Sequence, residues 1–181
     1  YFSNYDFHNL YKELLNFCTV DLSSFYFDIR KDNLYCDSID SKKRKSTILT
    51  LNIILNALLK WFAPILSFTT EEIFRLLFKN QKSIHLEKFI EFPDKFKNVK
   101  LSEKWVELIN IRNICNISIE EKRASKEIGS SLEADLKIQL NQKLKNLTEN
   151  TDFSELCITS SAEVSYKDDF ETTAITSKAN G

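Results

Sequence analysis

The sequence predicts a mainly α protein, a helical bundle followed by a small α/β segment. Three observations carry that prediction. Residues 1 to 128 contain no glycine and only two prolines, so little punctuates them. Apolar residues in this stretch recur every three or four positions, the period of a helix with one buried face. After Gly129 the period changes to two, the mark of strands with one face covered. The bundle is therefore assigned to residues 1–129 and the α/β segment to 130–181. With 181 residues, 43% of them hydrophobic, the chain is long enough to bury a sizeable core.

The elements follow in order. Phe7, Leu10, Tyr11, Leu14, Leu15 and Cys18 mark a first helix, and Leu22, Phe25, Tyr26 and Ile29 a second over residues 21–35. The polar stretch "CDSIDS" reads as the loop after it. A third helix spans Lys42 to Ala63, with a stripe of Ile48, Leu51, Leu55, Leu58 and Phe62 widened by Ile54 and Leu59. Its apolarity suits a central place in a bundle. Pro64 disfavours the helical conformation at Ala63 and ends or kinks the helix there.

Thr69 and Glu72 have the spacing of a capping box, and Phe68 and Ile73 that of a hydrophobic staple. The helix they open should end near Lys79. Residues 80 to 100 read as a long loop, extended at "SIHLEKF". The last long helix runs from Ser102 to Ile128, with Trp105, Leu108, Ile109, Arg112, Cys115 and Ile119 on its inner face. Gly129 then stands where helix gives way to sheet, and a left-handed helix cap is the expected reason for a glycine there. "ADLKIQL" alternates strictly, with Leu136, Ile138 and Leu140 on one side. "NQKLKNLTEN" reads as a short helix or loop, and "FSELCITSS", "AEVSY" and "ETTAITS" as further short strands.

Charge and cysteines narrow the function. The net charge is -1, but residues 1–129 hold 20 Lys+Arg against 17 Asp+Glu, while residues 130–181 hold 5 against 9. A polyanion should prefer the first part. Cys18, Cys36, Cys115 and Cys157 form no CxxC pair, so a zinc site within the chain is not expected, and reduced, mostly buried thiols are. His8 and His85 lack ligand-like neighbours. The longest apolar run, "TLNIILNALLKWFAPIL", is broken by two Asn, a Lys and a Pro and is not a membrane span. The chain begins at Tyr1 and has no Met, so it reads as a fragment of something longer or a processed product. No phosphate-binding glycine loop, HxGH-type or KMSKS-type motif or triad is present, and a self-sufficient enzyme is not expected.

"FCTVDLSSFYFDIRKDNLY" (17–35), "APILSFTTEEIF" (63–74) and "KEIGSSLEADLKI" (126–138) resemble successive landmarks of the bacterial-type isoleucyl-tRNA synthetases of class I. Their order and spacing are similar too, and the resemblance covers essentially the whole chain. The first two stretches are shared loosely with valyl, leucyl and methionyl relatives, whereas "IGSSLEA" is the most specific. The resemblance implies the helical anticodon-binding domain of class I synthetases, followed by a small α/β segment. It implies tRNA(Ile) as partner, a cytoplasmic monomer, and catalytic and editing domains upstream. It implies no cofactor within these residues, and ATP and Mg in the parent protein. Many members carry a zinc ribbon after an "A-x-G" stretch, and "SKANG" (177–181) looks like the approach to one, which would place any zinc beyond residue 181.

Unpaired anticodon bases are read by splaying, stacking and hydrogen bonding, while Lys and Arg hold the phosphates. Suitable groups flank "CDSIDS": Arg30, Lys31, Asp32, Asn33 and Tyr35 before it, and Lys42, Lys43, Arg44 and Lys45 after it. Each has a plainer reading. "KKRK" is also a solvated helix start or an import-type basic run, and "KDNLY" a helix end with Tyr35 packed inward. Trp61 and Trp105 read as core or half-buried, Arg112 as partner of a buried carboxylate, and Glu133 as a cap or a bond across the junction. Two alternatives to the isoleucyl reading stay open: the anticodon-binding region of a valyl relative, and a helical protein-interaction module without an RNA role.

Overall fold

The computed structural model describes residues 1–79, 82–168 and 171–179. The final Asn180 and Gly181 of "SKANG" lie outside them. Packing divides the chain into two compact units, residues 1–93 and 94–181, and the change of period at Gly129 falls inside the second.

In the first unit, Asp6 caps α1 (Phe7–Asn16), accepting from the Asn9 backbone N–H at 3.2 Å. The two helices expected over residues 7–35 are one. Between α1 and α2 (Asp28–Tyr35) the chain continues as a π-helix, Phe17–Phe27. No glycine or proline interrupts this run. The Thr19 hydroxyl donates to the Leu15 carbonyl at 2.9 Å. The Ser24 hydroxyl donates to Thr19 O, five residues back, also at 2.9 Å. Both hydroxyls thus occupy backbone carbonyls along the wider turn, whose own bonds run i→i+5.

Helix α3 (Lys42–Phe62) stops one residue before Ala63, as Pro64 dictates. Its burial differs from the expected stripe. Thr47, Ala57 and Leu59 are its buried residues, whereas Ile48 and Leu55 of the stripe stay exposed, as do Leu49 and Ile53. The helix packs against α2 and α4, and the side chains turned away from them meet solvent. Helix α4 (Ser67–Leu77) begins before the expected capping box, because a turn returning Leu66 N to Phe62 O at 2.7 Å leads straight into it. Thr69 therefore lies inside the helix, the N-terminus has no side-chain cap, and Phe68 is 93% exposed rather than a staple.

Glu71 does the anchoring instead of Glu72. It accepts from Arg75 Nε at 2.6 Å, Ser83 Oγ at 2.8 Å and Ile84 N at 2.9 Å. These bonds hold its carboxyl below the ordinary carboxylate range, the Arg75 contact most of all. They also seat Ile84 in a core with Leu59, Ala63 and Phe74. Residues 84–86 form a single 3₁₀ turn, where an extended stretch was expected at "SIHLEKF".

In the second unit, Asn98 caps α5 (Val99–Ala124). Leu108, Ile111, Cys115 and Ile119 are its buried face; Ile109 points outward and Ile111 takes its place. The helix ends at Ala124, one residue past Arg123 and short of the expected Ile128, in a Schellman motif. Glu127 N returns to Lys122 O at 3.1 Å and Lys126 N to Arg123 O at 3.0 Å. The left-handed residue is Lys126, at φ 61°, and Gly129 has no positive φ. The expected glycine cap is thus corrected. Gly129 instead gives its N–H to Glu133 Oε2 at 3.0 Å, and a Cβ there would lie 3.1 Å from Glu133 Oε1. That carboxylate approaches the glycine closely, and Glu133 is the bond across the junction.

Strand β1 (Ala134–Asn141) buries Ala134, Leu136, Ile138 and Leu140, as its alternation predicts. It lies between β2 (Ser161–Lys167), parallel, and β3 (Thr173–Lys178), antiparallel. The parallel step needs a crossover, which α6 (Lys145–Thr148) and α7 (Phe153–Cys157) supply. "FSELC" is therefore helix and not strand. Asp152 caps it, accepting from Glu155 N at 3.1 Å. The Asp-x-x-Glu spacing was the legible signal. Ser118 Oγ and Thr176 Oγ1 meet at 2.8 Å between α5 and β3, and Arg112 Nε donates to Leu156 O at 2.9 Å. The thiols of Cys115 and Cys157 hydrogen-bond each other in this core, and that bond, with burial, pushes Cys157 far above the ordinary thiol range.

Candidate nucleic-acid interface

The loop of residues 36–41 joins α2 to α3 and brings the two expected clusters to the same end of the helix pair. Its shape comes from its own polar groups. Cys36 N returns to Asp32 O at 2.8 Å and closes α2. Ser41 caps α3 through Arg44 N at 3.4 Å, and its hydroxyl donates to Asp37 Oδ2 at 2.8 Å. Arg44 Nη1 reaches back to Asp37 O at 2.9 Å, seven residues away. Lys45 pairs with Asp40 at 2.8 Å. Asp37 and Asp40 thus offset a run of four cations at a helix N-terminus, where the helix dipole opposes positive charge.

The expected residues accordingly take different parts. Arg44 and Lys45 brace the loop. Lys31 pairs with Asp28 at 3.1 Å in a solvated ion pair. Arg30 Nη1 donates to Asn33 Oδ1 at 3.1 Å, and Asn33 is buried. Asp32 and Lys43 are exposed. Lys42 is exposed too, with no ion-pair partner among the described residues. Tyr35 is 84% exposed, which removes the reading that packs it inward. Trp61 and Trp105 are half-buried.

One feature of this end was not read from the sequence. Between the π-helical stretch with α2 and the facing side of α3 lies a groove of about 430 Å³, inside the roughly 300–1,000 Å³ range of small-ligand sites. Phe27, Leu34, Tyr35 and Leu51 supply its apolar lining. Ser23, Asp28 and Lys31 supply its polar groups. The signal was present: Ser23, Phe27, Lys31 and Tyr35 recur at intervals of four. They were hidden because the π-helical stretch, which sequence periodicity does not announce, carries the first two.

A helical hairpin bearing cations, an exposed aromatic ring and a base-sized groove has the parts needed to hold a single-stranded nucleic acid. The family model described as the anticodon-binding domain of tRNA ligase matches residues 1–140, and the chain belongs to that family. The relatives sharpen this. The chain is 67% identical over 181 residues to the isoleucine–tRNA ligase of Pelagibacter ubique, covering 100% of this chain and 20% of that protein. It is 40% identical over 164 residues to the isoleucine–tRNA ligase of Bartonella henselae, covering 90% of this chain and 17% of the relative. The Agrobacterium fabrum enzyme of the same name is 39% identical over 161 residues, with 88% and 17% covered. The chain thus spans about a fifth of the length of the curated relatives it matches. These matches do not favour the valyl or the protein-interaction alternative.

Proposed function

We propose that the chain is the anticodon-binding portion of an isoleucine–tRNA ligase, holding tRNA(Ile) while other domains of the parent protein carry out ATP-dependent aminoacylation. The observation that carries this reading is the 67% identity across all 181 residues to the Pelagibacter ubique enzyme. The physical support is the loop end: Arg30, Lys31, Lys42, Lys43, Arg44 and Lys45 for phosphates, and Asp32 and Tyr35 for bases. ATP and Mg in the parent, zinc beyond residue 181, a monomeric state and a cytoplasmic location belong to the same proposal. No described helix is long and apolar enough to cross a membrane.

The test is a binding titration of isoleucine tRNA against the same tRNA with its anticodon exchanged. The native anticodon should bind roughly tenfold more tightly, the order expected for lost base contacts. Equal affinity for the two would remove the anticodon from this reading.

A further inference from the structure

We propose that Cys115 and Cys157 form a dithiol site that a hydroperoxide converts into a disulfide joining α5 to α7. The site lies wholly within residues 94–181 and is independent of the RNA-binding reading.

Two contacts bring the thiols together. Arg112 Nε on α5 donates to Leu156 O at 2.9 Å, which fixes α7 against α5 at the residue next to Cys157. Cys115 stands three residues after Arg112, on the same face of α5. The second contact is the hydrogen bond between the thiols themselves. Both cysteines are free and buried, Cys115 with no exposed surface. Cys18 and Cys36 belong to the other unit.

That hydrogen bond assigns the roles. A thiol that donates keeps its proton, and one that accepts gives its proton up more readily. The bond from Cys157 holds Cys115 below the ordinary thiol range, so Cys115 is the nucleophile. Its thiolate attacks one peroxide oxygen. The O–O bond breaks, an S–O bond forms, and the departing hydroxide takes up the proton that Cys115 released. The Cys115 sulfenic acid then faces Cys157. The Cys157 sulfur attacks Cys115 Sγ, the S–S bond forms, the S–O bond breaks, and the leaving hydroxide takes the Cys157 proton. Two thiols and one hydrogen peroxide become one disulfide and two waters, the sulfurs losing the two electrons that the peroxide gains.

The backbone beside Cys157 supplies access. Helix α7 is a short element of five residues. Ile158 follows it at φ 58° and ψ 55°, a left-handed conformation that strains a β-branched residue. Local opening of α7 relieves that strain and admits a molecule of peroxide's size to Cys115. The disulfide then closes α7 onto α5 and ties residues 115–157, β1 included, into one loop. Exchange with an external thiol restores the dithiol.

The test treats the full 181-residue chain with hydrogen peroxide and maps its cysteines by mass spectrometry without reduction. A disulfide between Cys115 and Cys157 should be the main pairing, should disappear on adding dithiothreitol, and should lose its predominance when the chain is oxidised in concentrated urea. Cys157→Ser should stop at a Cys115 sulfenic acid that a dimedone probe traps, while Cys115→Ser should leave Cys157 unlabelled. The oxidised wild type should also unfold at a higher urea midpoint than the reduced one. Cys115 and Cys157 both remaining open to alkylation on unfolding after Cys36 has been oxidised, or pairing mainly with Cys18 or Cys36, would overturn the site, and this result needs no variant to fold. Probe labelling of Cys157 in Cys115→Ser would overturn the assignment of roles, and an unchanged or lower midpoint would overturn the clamp.

Discussion

Residues 1–93 and residues 94–181 are built on opposite plans. In the second unit, three strands and α5 enclose a core in which Cys115, Ala134, Leu136 and Leu140 are wholly buried. Its pairings are long-range, and its outer sheet face is mostly polar, with Lys137 opposite Glu163 and Gln139 opposite Ser165, and Ile175 as an exposed apolar exception. The first unit is helical and leaves apolar side chains open, Leu49 at 62% exposure among them. Its loop end collects cations and an exposed tyrosine, and a groove runs from Tyr35 back along the helices to Ser23. The contrast suggests a division of labour: the sheet unit encloses a core around β1, and the surface proposed to meet RNA lies on the helical one.

The largest break in this contrast should come from the scaffold core. Leu136→Ala should cost about 2–5 kcal/mol, because Leu136 has no exposed surface and lies on the central strand. Leu49→Ala should stay within about 0.5 kcal/mol. Chemical unfolding of both variants measures the difference, and comparable losses would erase the distinction between the units.

Acid should act on the helical unit through Glu71. Its folded-state pKa lies below the ordinary 4.5, so the unfolded chain takes up the proton first. The contribution is complete above about pH 4.5 and is lost as pH falls through the lower folded value. Glu71→Gln should lower stability at neutral pH and flatten this acid limb, read by thermal unfolding from neutral pH downward. An unchanged acid limb would show that Glu71 does not anchor residues 83 and 84. Glu127 follows the same sign in the second unit, held low chiefly by Lys122.

The smallest effects lie at the junction after α5. Lys126→Gly should stabilise the chain by roughly 0.5–1 kcal/mol, since glycine takes the left-handed conformation without steric cost. Gly129→Ala should cost only a few tenths of a kcal/mol, because the added Cβ meets the flexible end of Glu133 at 3.1 Å. A loss of about 1 kcal/mol or more at Gly129 would restore the glycine as the cap.

What was legible followed from local periodicity. The three-four spacing located every long helix, and the alternation of Leu136, Ile138 and Leu140 located β1 with its buried face. Pro64 set the end of α3. What was missed depended on partners distant in sequence or on unusual backbone. "FSELC" is too short for periodicity to separate helix from strand, and only Asp152 as cap decides it. Glu71 works through residues 83 and 84, twelve and thirteen positions away, so Glu72 looked the better cap. The cation clusters were readable, but not their division between loop-bracing Arg44 and Lys45 and a Lys42 without an ion-pair partner among the described residues. The groove needed the π-helical turn that no spacing rule announces.

The division of labour is tested most directly by the salt dependence of isoleucine tRNA binding to the chain. For wild type, the slope of log affinity against log salt should be roughly -2 to -4. Lys42→Ala with Lys43→Ala should shrink its magnitude by roughly 1 to 2. Lys137→Ala, on the outer face of the sheet, should leave it unchanged. A slope that is indifferent to Lys42 and Lys43 but shrinks with Lys137 would place the RNA on the sheet unit and contradict the account.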